Sequence, residues 1–278
     1  MPAVDHFSGL SDLSDDLARD FSLAEAAVRE AGTLARAHFH AMPEAWTKND
    51  NSPVSEADQA VDRLLQQRLC DPRPDYGWLS EETADSPERL DKKRVWIVDP
   101  IDGTRAYLKG LNEWVVSAAL VENGTPVLGL IYNPMHEQMF TAVAGGRSLL
   151  NGEAMSVSGR SQMAGCRMLA NADHMRGKRW QASWPEMDLH RYNALAYRIV
   201  MVAAGRHDAT LAFSRFHEWD VAAADLILAR AGGTMTNFDG DSFRYNQPVP
   251  KLPNGIAANP ALQSAFRGFI ANSLKSDT

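Results

Sequence analysis

Trp96-Ile97-Val98-Asp99-Pro100-Ile101-Asp102-Gly103-Thr104 is the stretch that organises the chain. Apolar residues of strand type run into an aspartate, a proline removes a ladder donor, and a second aspartate follows directly before Gly103 and Thr104. Two carboxylates are thereby held at one strand tip. Carboxylates so placed repel one another unless a cation lies between them, and their hard oxygens select magnesium, manganese or calcium over zinc. Gly103 and Thr104 would open a helix whose backbone N–H groups face the same point, a seat for an anion. A lone Asp-Gly pair is an ordinary turn signal, whereas the whole string is far more specific.

Upstream, the apolar run Tyr76–Leu79 delivers Glu81 and Glu82, which by themselves read as a solvated loop pair. Ser55 with Asp58 three residues on resembles a capping box before a helix carrying Val61, Leu64, Leu65 and Leu69 on one face. Asp58 is equally a cap partner and a functional candidate. Leu17, Phe21, Ala24, Val28, Ala31, Leu34 and Phe39 follow helical spacing from Ser14 to an exit at Pro43, and Lys48–Pro53 is a loop. Downstream, Trp114–Val121, Val127–Tyr132 and Gln138–Val143 suggest an antiparallel meander, with a turn at Asn151-Gly152.

The character changes near residue 155. Beyond it the pattern predicts a helix over Tyr192–Ala204, a strand over Ala209–Phe213 and a helix over Asp220–Ala231, stopped by Gly232 and Gly233. Asp220 has the helix N-cap as its plainest role, which is compatible with metal binding. The division expected is an N-terminal α+β half, 1–155, with most candidate ligands, and a C-terminal α/β half, 156–278, contributing Asp220 and substrate contacts.

A hydrophobic fraction of 45% and charged fraction of 23% are those of a globular chain, so a sizeable core is expected. A net charge of -7 argues against a nucleic-acid polymer or an anionic membrane as partner. No apolar stretch approaches the roughly 18 residues of a membrane span, and the acidic start lacks a signal-peptide pattern, so the cytoplasm is the expected location. Cys70 and Cys166 lack CxxC spacing and read as reduced thiols. P-loop, serine-hydrolase and zincin markers are missing. The histidines form no site: His38 and His40 face different ways on a helix, and His217, close to Asp220, reads as structural or surface.

Taken together, Gly77-Trp-Leu-Ser-Glu81-Glu82, the Trp96–Thr104 string and Glu218-Trp219-Asp220-Val-Ala-Ala resemble the inositol monophosphatase superfamily of lithium-sensitive, magnesium-dependent phosphatases. The segment Lys48–Asp58 fits the same pattern, extending the resemblance from about residue 20 to about residue 262. The resemblance implies an α+β fold, a layered αβαβα sandwich of the inositol monophosphatase/fructose-1,6-bisphosphatase type, and a homodimer. It makes Glu81, Asp99, the carbonyl of Ile101, Asp102 and Asp220 the metal ligands. Thr104, supported by Glu81 and Asp58, would orient the attacking water, while Asp102, Gly103 and Thr104 meet the substrate phosphate. Two or three Mg2+ ions are implied, with Mn2+ able to substitute and Ca2+ and Li+ inhibitory.

Arg105-Ala106-Tyr107 after the string looks like bacterial 3'(2'),5'-bisphosphate nucleotidases and histidinol phosphatases more than inositol phosphatases, and Glu218-Trp219-Asp220, with Asn51-Ser-Pro-Val54 and Leu79-Ser-Glu-Glu82, looks closer to the nucleotidases than to histidinol phosphatases. Phe213 stands where inositol phosphatases tend to place a glutamate for ring hydroxyls. The leading substrate is therefore 3'-phosphoadenosine 5'-phosphate, followed by inositol monophosphate and histidinol phosphate. Tyr107, Trp114 and Phe213 could stack on adenine, although aromatics are more often core. A regulatory binding protein with vestigial phosphatase activity is the alternative of a different class, and the complete acidic set argues against it.

Overall fold

The computed structural model describes residues 14–41, 45–47, 53–176 and 179–274. The expected loop Lys48–Pro53 falls largely outside the described residues. Helices α1 (Asp15–Ala41) and α2 (Glu56–Cys70) form the first layer. A short ribbon of β1 (Ala45–Thr47) and β2 (Pro53–Ser55) connects them. The first sheet follows in simple chain order: β3 (Gly77–Ser80), β4 (Arg94–Asp102), β5 (Val115–Glu122), β6 (Thr125–Asn133), β7 (Gln138–Val143), β8 (Leu149–Leu150) and β9 (Glu153–Ala154). Only the β3–β4 pairing is parallel; from β4 onward the strands form the antiparallel meander that Asn-Gly turns favour. A one-turn helix, α3 (Thr104–Tyr107), follows β4.

The second sheet has the order β11 (Asp188–His190), β10 (Arg167–Leu169), β12 (Ala209–Ala212), β16 (Gly255–Ala258), β14 (Thr234–Thr236). A ribbon of β13 (Phe216–His217) and β15 (Lys251–Leu252) lies apart from it. The one-turn α4 (Ala172–Met175) precedes β11, α5 (Leu195–Ala203) and α6 (Ala222–Arg230) lie between the two sheets, and α7 (Pro260–Ser273) covers β16 from outside. The layers therefore read αβαβα.

Strand parity explains how the layers adhere. On β4, Trp96 and Val98 turn to the cluster formed with Phe21 and Val28 of α1 and Val61 and Leu65 of α2. Val95 and Ile97 turn to the opposite cluster, with Val200 of α5 and Ile227 of α6. Asp99 is next in the Val95–Ile97 series and so heads toward the α5/α6 layer. Gly129 allows α6 its close approach to β6, since a Cβ there would stand 2.6 Å from the carbonyl oxygen of Ala223. A third cluster joins Met168, Ile256 and Ala258 to Leu262 and Phe266 of α7.

Two helix boundaries differ from the sequence expectation. The helix expected from Tyr192 begins at Leu195, because no capping side chain stands at Ala194 and the preceding residues form a loop. The helix expected from Asp220 begins at Ala222: Glu218–Asp220 is a 3-10 turn, and Asp220 closes it by accepting from the His217 amide at 2.6 Å rather than capping α6. Tyr107 and Trp114 are core, packed against Phe39, and the Tyr107 hydroxyl donates to the Ala35 carbonyl at 2.8 Å; neither can stack on a ligand.

Candidate active site

β4 ends at a register break between Asp99 and Asp102, where Pro100 interrupts pairing with β5. Both aspartates are buried there. Asp99 accepts from the amide of Ile101 at 3.1 Å. Gly103 follows at φ 95°, a left-handed conformation that glycine adopts without strain, and turns the chain so that Thr104 starts α3. Since α3 is a single turn, the anion seat expected there has only a short helix behind it. The Thr104 hydroxyl lies 3.2 Å from the carbonyl oxygen of Ile101 and 3.4 Å from Asp58.

α2 supplies two carboxylates to the site. Asp58 accepts from both the amide and the hydroxyl of Ser55, at 2.8 and 2.6 Å, completing the capping box while its other oxygen faces Thr104. One turn later Asp62 accepts from Ser80 on one side of Glu81 and from Thr83 on the other. Asp62 thus anchors the turn that carries Glu81 and Glu82, a role the sequence reading missed. The available signal was its i+4 spacing from Asp58 on the face that also holds Val61 and Leu65.

Asp102 is engaged from far along the chain. Its two oxygens accept from the amides of Leu195 and Ala196, at 3.1 and 2.6 Å, so this carboxylate satisfies the start of α5. The absence of Ser, Thr, Asp or Asn at Ala194 was the one hint of a remote partner. Arg198, one turn into α5, donates to the Thr210 hydroxyl at 2.9 Å and the Leu211 carbonyl at 2.6 Å.

The acids affect one another. Burial first, then Glu81, Asp102, Asp220 and Asp58, push the Asp99 carboxyl well above its ordinary value. Burial and then Asp102 do the same to Asp220. Burial raises Asp102 to about 7, against the opposing pull of the Ala196 and Leu195 amides. Next to Asp220, the buried Glu218 is raised to about 7 by desolvation and accepts from the amides of Asn246 and Gln247. Among the described residues no three acidic, histidine or cysteine side chains form a ready-made metal cage. Backbone donors hold oxygens of Asp99, Asp102 and Asp220 in the positions described. The donor chemistry nevertheless fits a hard divalent cation: the set is all oxygen, buried or half-buried, and electrostatically strained by like charge, which such an ion relieves.

A cleft of about 390 Å³ opens from this cluster. Asp102 and Asp220 line it together with Arg105, Arg191, Phe213 and Arg215. His217, also in the wall, stacks its ring on Trp219 at 4.5 Å between centroids. Phe213 is packed edge-on by His174, Trp180 and Phe238, with the Arg179 guanidinium 5.4 Å from its ring centre.

Comparison with known proteins agrees with this geometry. A model described as the inositol monophosphatase family matches residues 16–276. A "Nus factor SuhB" from Xylella fastidiosa is 30% identical over 89% of this chain and 92% of its own length. An "Inositol-1-monophosphatase" from Mesorhizobium japonicum is 32% identical, covering 79% of this chain and 83% of its own. Among solved structures, the Thermotoga maritima IMPase superposes with a TM-score of 0.78 at 26% identity, covering 93% of this chain and 98% of that one.

Proposed function

The chain belongs to the inositol monophosphatase family, and from that premise we propose a magnesium-dependent phosphomonoesterase of small phosphate esters, with 3'-phosphoadenosine 5'-phosphate as its leading substrate. The observation that carries the reading is the convergence of Asp99, Asp102 and Asp220 with Glu81 at the head of a cleft of ligand size.

Glu81, Asp99, the Ile101 carbonyl, Asp102 and Asp220 would hold the cation. When bound, it supplies charge neutralisation of the phosphate and lowers the pKa of a water ligand. The chain's own residues do the rest. The Thr104 hydroxyl, backed by Asp58, orients a water and passes its proton toward the carboxylate. Glu81 is set for the same task by the Asp62 anchor. Gly103 and Thr104 turn the backbone toward the phosphate, and the buried strand tip limits the water that reaches the reacting oxygen. The proposal extends to a homodimer, to the cytoplasm, and to the two halves that meet at residue 155. Among the described residues no helix is long and apolar enough to cross a membrane.

Inositol monophosphate remains the second reading, favoured by the name carried by the Mesorhizobium relative. Histidinol phosphate stands third. The name of the Xylella relative keeps a regulatory role in view. The test is phosphate release from the three esters with and without Mg2+, with Li+, Ca2+ and Mn2+ titrations and Asp99→Asn as control. Magnesium-dependent release lost in the variant supports the reading. No release from any of the three, by a folded protein, supports the regulatory alternative.

A further inference from the structure

Several arginines elsewhere in this chain are neutralised by carboxylates. Arg68 meets Glu30, Arg73 and Arg94 meet Asp20, Arg89 meets Asp85, and Arg167 meets Asp208. In the cleft three arginines without such partners come together. Among the described residues, Arg105, Arg191 and Arg215 have no ion pair and donate no hydrogen bond to the protein, yet all three line one cavity of about 390 Å³. The fourth cleft arginine, Arg198, is spent on Thr210 and Leu211.

The acidic groups of this cavity are Asp102 and Asp220, which belong to the proposed cation-holding set. Arg191 comes from the loop before α5 and Arg215 from the loop between β12 and β13, whereas Asp102 ends β4. On a chain of net charge -7, guanidinium groups without a carboxylate partner in one cleft add local positive charge that the protein itself does not use. Guanidinium is the side chain best matched to the paired oxygens of a phosphate. The scissile phosphate has its own partners at the strand tip, so these two arginines serve another group of the same molecule.

We propose that Arg191 and Arg215 bind a second phosphate carried by the leaving group, so that the preferred substrates are bisphosphates, of a nucleoside or of a polyol. The assignment rests on the phosphatase reading above and names the side chains that would select a bisphosphate over a monophosphate. It needs no adenine-specific contact: Phe213, packed edge-on by other rings, lines the same cleft as an apolar surface.

Matched pairs test it. With Mg2+ present, kcat/KM is measured on adenosine 3',5'-bisphosphate against adenosine 3'-monophosphate, and on inositol 1,4-bisphosphate against inositol 1-monophosphate, for the wild type, Arg191→Gln and Arg215→Gln. Each variant is checked for an unchanged melting temperature, and Arg191→Lys and Arg215→Lys serve where a Gln variant fails to fold. The expected result is a preference of about tenfold to a hundredfold for the bisphosphate in at least one pair. Each Gln variant should then reduce that preference by about tenfold, chiefly through KM, with a weaker dependence on salt. Equal efficiency on both members of both pairs, or equal losses on both in the variants, overturns the inference and leaves the phosphatase reading standing. No turnover of any of the four esters overturns that reading, and this inference with it.

Discussion

Asp225 on α6 gives a stability prediction that can be followed through to a number. Its carboxylate accepts from the hydroxyl of the fully buried Tyr245 at 2.7 Å, and burial raises its pKa from the ordinary 3.8 to about 6. At about 1.36 kcal/mol per pH unit, this difference amounts to about 3 kcal/mol by neutral pH, less some relief from residual solvent contact. The sign follows from proton uptake. Between pH 3.8 and about 6 the folded state holds the proton more tightly than the unfolded state, so stability declines as pH rises through that window and levels off above it. About half of the penalty, roughly 1.4 kcal/mol, accumulates between about pH 5 and pH 8. Asp225→Asn does not ionise and keeps an oxygen for Tyr245. Urea unfolding with Mg2+ present should therefore show the variant gaining on the wild type by about 1 kcal/mol or more from pH 5 to pH 8. A difference between the two proteins that stays constant across that range would refute the reasoning.

Saturating Mg2+ should raise the urea midpoint of the wild type, by about 2.7 kcal/mol at a hundred times its Kd, and leave Asp220→Asn little changed. Gly129→Ala should cost about 1 to 3 kcal/mol, read as a lower melting temperature, because the new methyl meets the Ala223 carbonyl. Asp20 is fully buried and accepts from Arg73 at 2.6 Å, Arg94 at 3.2 Å and Tyr76 at 2.8 Å, and so ties α1 to β4. Asp20→Ala should destabilise by about 3 to 5 kcal/mol, since Arg73 loses its carboxylate and Arg94 keeps only Glu122; a loss under 1 kcal/mol in calorimetry would refute this.

The parts of the fold that were legible in the sequence are those set by local rules. The spacing of Phe21, Ala24, Val28 and Ala31 makes one helical stripe, and the alternation through Val95–Val98 makes a strand buried on both faces. The Ser55–Asp58 box formed as its residue types dictate. The start of α5 was not legible, because its amides are satisfied by Asp102 from another layer and no local residue signals it. Asp220 was misplaced by two residues for a related reason: a short turn with its own hydrogen bond took the carboxylate before α6 could use it. At the site, the acids could be named from the motif strings, whereas Asp62 acts through Ser80 and Thr83, contacts that exist only once α2 has docked beside β3. The charged wall is invisible for the same reason: Arg105, Arg191 and Arg215 are far apart in sequence and become one surface only when the layers close.

The cap that Asp102 provides to α5 also orders events in time. During synthesis Asp102 leaves the ribosome well before Leu195 and Ala196, so the acceptor is already made when its helix arrives. The reverse does not hold: a fragment comprising 156–278 would start α5 with two unsatisfied amides, and a circular permutant that delivers this half first would have to keep the helix waiting for its partner. The carboxylate assigned to the proposed cation site is thus also a joint in assembly, tying the start of α5 to the tip of β4.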